Sequence, residues 1–329
     1  MTHLSQMNIL RLTFLSAFAV IMLNPGRAHA EADDGPAGSM ATVKSSARSR
    51  FHLLSKKCEV ELEKGPDATP QSPPLNVDDP ATPGCNVWEV NVVFDADFSR
   101  AGRTWELPLL DINYGIGDNI QLKYEVPNVR SETSSEQTGA IGESKFGIKY
   151  MFFEDEEFDT QIAAYPQTTF VQANSEAVQK GLATPGTVIT LPLLISMNVG
   201  DAWRGKVRLT GNLGYNISNK ADSTDFVSAS IGVGTPIRRF LSVLTELSTQ
   251  QAVRLNSDSV REQLLRAQIG LLGTINQQFQ LFGSVGRSLI ASDGFDHTYF
   301  LAGFRVIEGA PSLPNSSVHS EPKVSSNDR

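Results

Sequence analysis

Along most of this chain, apolar and polar residues change places at every step. In residues 119–127, Ile120, Leu122, Tyr124 and Val126 alternate with Gln121, Lys123 and Glu125. In residues 145–153, Phe146, Ile148, Tyr150 and Phe152 alternate with Gly147, Lys149 and Met151. In residues 206–217, Val207, Leu209, Leu213, Tyr215 and Ile217 alternate with Lys206, Arg208, Thr210, Asn212 and Asn216. Leu265, Ala267, Ile269 and Leu271 alternate with Arg266, Gln268 and Gly270. A period of two belongs to an extended strand, whose successive side chains point to opposite faces. Shorter runs beginning near Trp88, Leu110, Ile189, Val227, Leu241, Phe279 and Phe300 follow the same rule, and residues 160–170 follow it least clearly. The pattern predicts about twelve strands of roughly ten residues, the length a tilted membrane strand needs.

The links between these runs carry a second pattern. Those at 117–118, 154–157, 200–205, 235–239 and 274–277 are short, whereas those at 128–144, 171–186, 218–223, 248–263 and 290–296 are longer. Short and long alternate, as expected of an up-and-down barrel with tight turns at one end and longer loops at the other. An even strand number then places both termini at the turn end.

Alternation alone does not say where the apolar face goes, because a soluble sandwich would bury it against a second sheet. Two features point to lipid. The polar face carries charge at mid-strand positions, namely Lys123, Glu125, Lys149, Arg208, Glu246 and Arg266. These six are the candidate lumen-lining residues, either as a constriction that selects solutes or as a salt-bridged core that fills a narrow barrel. Aromatic residues such as Trp88, Tyr114, Phe152, Phe226 and Phe279 gather near strand ends, as membrane-interface girdles do.

The ends of the chain read differently. Residues 12–23 are apolar and follow Arg11, and Ala28-His29-Ala30 matches the small-x-small cleavage pattern, so residues 1–30 are expected to be a cleaved export signal. Residues 31–85 form the expected periplasmic N-terminal extension, largely disordered, with an appendage or a plug as the alternatives for its Pro-rich second half. Its two cysteines, Cys58 and Cys85, flank that Pro/Asp-rich stretch and could pair in an oxidising compartment or remain free thiols. Residues 86–307 form the expected barrel, and residues 308–329, rich in Pro, Ser and charge, a disordered tail.

Composition narrows the functional classes. The chain carries a net charge of −8 with no basic block, which argues against a nucleic-acid partner. Two cysteines without a histidine cluster make no metal site, and the short glycine pairs 115/117 and 232/234 are no phosphate loop. No catalytic residue and no cofactor is expected. The weakest enzymatic alternative is a lipid-facing Ser/His pair at His297, at the mouth of the last strand. The acidic run 154–157 reads as a solvated turn rather than a cation site.

The segment WELPLLDINYGIGDNIQLKYEVP at residues 105–127 resembles the MetA-pathway-of-phenol-degradation family of outer-membrane proteins. GESKFGIKYMFFEDEE at 142–157, the Tyr165-Pro166 pair, and LFGSVGRSL at 281–289 followed by FLAGFRV look like further hairpins of that family. The resemblance covers about residues 87–307. It implies an outer-membrane barrel and passage of small, hydrophobic or aromatic compounds, and it supplies no catalytic residues. The expectation is therefore an all-β transmembrane up-and-down antiparallel barrel with outer-membrane lipid, a small-molecule solute and the barrel-assembly machinery as partners. A closed structural barrel anchoring a periplasmic or cell-envelope partner is the alternative, and a barrel lipid-modifying enzyme the third.

Overall fold

The computed structural model describes residues 49–51 and 68–309, apart from 134–135, 203–204, 221–222 and 255–261. The expected signal peptide, the first part of the extension with Cys58, and residues 310–329 lie outside the described residues. The strands are β1 (Ser49–Phe51), β2 (Trp88–Phe98), β3 (Arg103–Ile116), β4 (Ile120–Glu132), β5 (Gln137–Ile141), β6 (Ser144–Asp155), β7 (Thr160–Ala164), β8 (Gln167–Val171), β9 (Gly186–Ala202), β10 (Gly205–Ser218), β11 (Phe226–Arg238), β12 (Leu241–Ala252), β13 (Gln263–Asn276), β14 (Phe279–Ala291) and β15 (Thr298–Glu308). A single helical turn, α1 (Glu176–Gln179), sits in the longest connection, capped by the Ser175 hydroxyl on the Val178 N–H.

Every neighbouring pair is antiparallel, and β15 pairs with β2 through eleven residue pairs from Thr298↔Phe98 to Glu308↔Trp88. That pairing closes the sheet. β5 and β6 act as one wall strand bent at residues 142–143, because both pair with β4. β7 and β8 act as another, interrupted at Tyr165 and Pro166, because each pairs with both β6 and β9. The wall is a closed barrel of twelve strands. Proline at 166 costs no ladder bond there, since its carbonyl accepts from Ile148 and the Tyr165 N–H donates to Pro192. β6 overhangs β4 at the turn end, and β1 pairs with the overhang at residues 153–155.

The strands are longer than the pattern suggested, up to 17 residues in β9. Much of the expected long link 128–144 is in fact ladder, because β4 and β5 continue the hairpin beyond the apolar stretch. The polar outer part of a barrel wall can stand in water, so its residues lose the apolar period while keeping their backbone pairing.

Sidedness is unambiguous. In β4, Gln121, Lys123 and Glu125 are buried while Tyr124 is exposed. Exposed large apolar residues ring the outside, among them Trp88, Phe94, Ile148, Leu193, Leu213, Leu271, Leu281 and Phe300. A belt of this size has no counterpart on a water-soluble surface, and a closed ladder leaves no backbone group unpaired in hydrocarbon. The fold is a transmembrane β-barrel.

One boundary needs correction. Residues 68–85, expected to belong to a largely disordered extension with a plug as one alternative for its Pro-rich half, lie within the barrel. Pro70, Pro74, Leu75, Val77 and Pro80 are buried. Leu75 and Val77 form one apolar cluster with Val93, Leu244, Leu272 and Phe282, which point inward from β2, β12, β13 and β14. Burying each such side chain is worth about 1.5–3 kcal/mol, so a proline-rich segment without any period can still be held by the wall.

Candidate functional site: the lumen and the segment inside it

Residues 68–87 enter the lumen, reach the inner wall at Asn76 and return to β2. Most anchors pair a backbone group of this segment with a wall side chain. Glu246 on β12 accepts the N–H groups of Asn76 at 2.6 Å and Val77 at 3.0 Å. Arg305 on β15 donates to Gln71 Oε1 at 2.6 Å and to the Pro73 carbonyl at 3.4 Å. Its Nε also reaches Asn91 Oδ1 at 2.8 Å. Lys149 on β6 donates to the Ala81 carbonyl at 2.9 Å, and Ser284 on β14 to the Pro74 carbonyl at 2.8 Å. Thr82 donates to the Asp118 carbonyl at 2.8 Å, close to the β3–β4 turn. A buried segment with few ladder bonds of its own must satisfy its polar backbone in this way.

Glycines make the room. A Cβ at Gly234 would land on the Ala68 carbonyl oxygen, and one at Gly115 on that of Gly84. At Gly270 it would press on Leu75 and Pro74. The small residues that look like ordinary turn or strand fillers in the sequence are the bed on which the segment lies.

All six candidate lumen residues point inward, in three different settings. Lys123, Glu125 and Lys145 form a chain, with Lys123 Nζ 2.6 Å from one Glu125 oxygen and Lys145 Nζ 2.7 Å from the other. Asp111 stands 3.6 Å from Lys123. Lys149, Glu246 and Arg208 meet the inner segment, the last through Thr69 at 3.3 Å while also pairing with Asp159 at 2.6 Å. Arg266 lies over the ring of Tyr299, 3.5 Å from its centroid, and reaches Asn76 Oδ1 at 3.3 Å. The opposite charges meet along one strand or between nearby ones within the wall, as the cost of desolvation requires, rather than facing each other across open water. Arg305 and Asp111 belong to the same network but are not among the six. Both sit on the polar side of their strands, where the period alone could have pointed to them.

Cys85 is disulfide-bonded; Cys58, the chain's other cysteine, lies outside the described residues. His297, just before β15, has both ring nitrogens on carboxylates, Nδ1 at 2.9 Å from Asp97 and Nε2 at 2.7 Å from Asp293. Burial works against its charged form, but the two carboxylates outweigh burial and raise its pKa above 6.5. The ring is thus clamped between two carboxylates, and among the described residues neither ring nitrogen meets a serine hydroxyl. Among the described residues, no cluster of His, Cys, Asp and Glu could hold a metal ion.

Space remains on both sides of the segment. Toward the loop end is a cavity of about 410 Å³ bounded by Asn76, Asp78 and the strands β8–β13. A neighbouring one of about 640 Å³ reaches the rim at His297 and shares Phe226, Gln250, Leu264 and Arg266 with it. Toward the turn end, a cavity of about 420 Å³ is bounded by Thr69, Gln71, Asp78 and Asp79 of the segment and by Lys123, Lys149 and Arg208 of the wall.

The fold and its sidedness define a transmembrane β-barrel with an occupied lumen. Among solved structures, the chain is similar to the COG4313 outer membrane channel from Pseudomonas putida F1, with 12% identity and a TM-score of 0.53 over 68% of this chain and 96% of the other. It is also similar to the NanC porin, at 8% identity and TM-score 0.47 over 66% of this chain and 98% of the other. For the KdgM porin in complex with disordered oligogalacturonate the values are 11% and 0.43 over 66% and 98%. The first supports the barrel fold. No family model and no curated protein matches the chain.

Proposed function

We propose that the chain is an outer-membrane channel in which residues 68–87 act as a plug controlling the passage of small molecules. The observation that carries this reading is the partition of the lumen. Cavities of about 410 and 420 Å³ lie on the two sides of the segment, and Asp78 borders both. A barrel filled merely for stability would have side chains where these spaces are. The anchors that hold the plug are hydrogen bonds to polar wall groups that water could serve equally well once it moved. The short turns and the termini then face the periplasm, and residues 1–30 are the cleaved export signal that takes the chain there. β15, with Tyr299, Phe300 and Phe304, supplies an aromatic last strand for the barrel-assembly machinery to read.

The strand motifs at 105–127 and 281–289 carry a resemblance that implies a hydrophobic or aromatic solute, but the loop-end cavity is lined mainly by polar side chains and offers such a solute little apolar surface. A lipid-modifying role finds no support in the His297 clamp. Planar-bilayer conductance tests the channel reading. Wild type should show rare, small openings. Asn76→Pro removes an anchoring N–H from the plug while leaving every wall residue in place, and should open the pore. If Asn76→Pro conducts no more than wild type, the plug does not control a passage.

A further inference from the structure

The loop-end cavity is lined on one side by uncharged hydrogen-bonding groups. Gln167, Thr190, Asn216, Ser228 and Gln250 face it from five successive wall strands, β8 to β12. The register places Gln167 beside Thr190, Thr190 beside Asn216, and Ser228 beside Gln250, so they form one belt around half the lumen. Thr190 donates to Asn216 Oδ1 at 2.7 Å, and Asn216 donates to Ser228 at 3.0 Å. Asn216 also donates to the Phe226 carbonyl at 3.2 Å, which occupies both its N–H groups, whereas the Ser228 hydroxyl hydrogen has no acceptor among the described residues. One level deeper, Ser230 of β11 stands directly opposite Ser248 of β12, and both border the cavity. Hydroxyls and carboxamides can donate and accept alike, which is the hydrogen-bonding character of a sugar hydroxyl.

Two of the charges around the cavity are already engaged. Lys145 is paired with Glu125 at 2.7 Å. Asp78 accepts from Gln167 at 3.5 Å. Arg266 is covered on one face by Tyr299 and bonded to Asn76, while its buried Nε meets no acceptor among the described residues and can donate to a solute hydroxyl oxygen. Phe226 adds an apolar ring to the same wall, a surface for the C–H face of a pyranose. The volume of about 410 Å³ falls in the usual range of roughly 300–1,000 Å³ for small-molecule sites.

We infer that this cavity is a binding site for a neutral, hydroxyl-rich solute of the short-saccharide class, seated on the plug tip at Asn76–Asp78 and held by the β8–β12 belt. The inference rests on the channel reading and names the solute class for it. It places the solute where its hydrogen bonds compete with those that hold Asn76, so that occupancy and plug position are linked.

Isothermal titration calorimetry on the full chain folded in detergent tests the site, with sucrose, maltotriose, glucuronic acid and phenol as probes. Maltotriose or sucrose should bind, glucuronic acid more weakly, and phenol not at all. The double variant Ser230→Val, Ser248→Val removes two hydroxyls that make no hydrogen bond among the described residues, and should weaken saccharide binding about tenfold. Absence of saccharide binding, unchanged binding by the double variant, or preference for glucuronic acid or phenol would each overturn the inference. Conductance keeps the two questions apart, with saccharide binding read on the wild type alone: if Asn76→Pro conducts while the wild-type protein ignores saccharides, the site is lost and the channel is kept.

Discussion

The carboxylate of Glu246 accepts the backbone N–H of Asn76 at 2.6 Å, across 170 positions of sequence. Val77 donates to the same oxygen at 3.0 Å. Glu246 is buried, and the groups that solvate its charge are amides of the plug. Glu246→Ala should therefore loosen the plug tip without disturbing a wall ion pair. Hydrogen bonds to charged groups are worth about 1.5–3 kcal/mol each, so the open population should rise by at least tenfold. Hydrogen exchange at residues 75–78, compared between wild type and variant, measures it. Unchanged protection there would show that the apolar contacts of Leu75 and Val77 hold the tip by themselves.

Gly234→Val should have a similar outcome by a different route. The new side chain would occupy the position of the Ala68 carbonyl and evict the start of the plug. The wall ladder of β11 with β10 and β12 involves only backbone groups at that position and should persist. Limited proteolysis should then cut within residues 68–75 of the variant while leaving wild type intact at those bonds, and heat-modifiable gel mobility should remain.

On the outer surface, Leu271→Arg exchanges an exposed apolar side chain near the middle of β13 for a charge facing lipid. An arginine at the midplane of a barrel costs about 2–4 kcal/mol. Urea titration of folding into lipid vesicles should show a loss of that order. Gln268→Arg, three residues away but inward-facing, exchanges one polar lumen group for another and should not incur the lipid penalty.

His297 gives the loop end a pH dependence whose sign follows from its partners. Its folded pKa is raised above 6.5, so its contribution to stability is complete below about 6.5 and is lost as pH rises through the folded value. Asp293 behaves oppositely. A backbone N–H from Phe295 and the His297 ring hold its pKa below 3.8, so its contribution is present above that value and lost as pH falls through the folded one. The connection 292–297 should thus be most protected from proteolysis between about pH 4 and 6.5, and less so as pH rises through the folded value of His297. His297→Gln should abolish that alkaline loss. A flat wild-type profile would mean that the clamp does not order this connection.

The barrel itself was legible because its physics is local. Each of Ile120, Leu122 and Tyr124 has polar neighbours on both sides, and a two-residue period needs no knowledge of the partner strand. The plug was legible only as one alternative for the Pro-rich stretch, because what holds it is not local. Pro70 to Pro80 carries no period, and its burial depends on side chains such as Glu246 and Arg305 that are distant in sequence. A trace of it was nevertheless present. Along β12 the inward row runs Ser242, Leu244, Glu246, Ser248, and Leu244 breaks a polar series. Leu272 and Phe282 do the same on β13 and β14. Greasy residues facing the inside of a polar tube require something greasy to meet, and Leu75 and Val77 are what they meet. The belt of uncharged groups on β8–β12 was overlooked for the opposite reason: Ser, Thr and Asn stand out in no pattern until the register lines them up.

The plug runs directly into β2, and β2 is also where the cylinder is sewn shut against β15. A slip at that seam has to be by an even number of residues to keep the greasy rows outside, and a slip of two moves the strand by about 7 Å. Asn76 would then miss Glu246 altogether. Correct stitching of the first strand to the last and correct seating of the stopper are thus one event, so a mis-sewn molecule should betray itself as a leaky one.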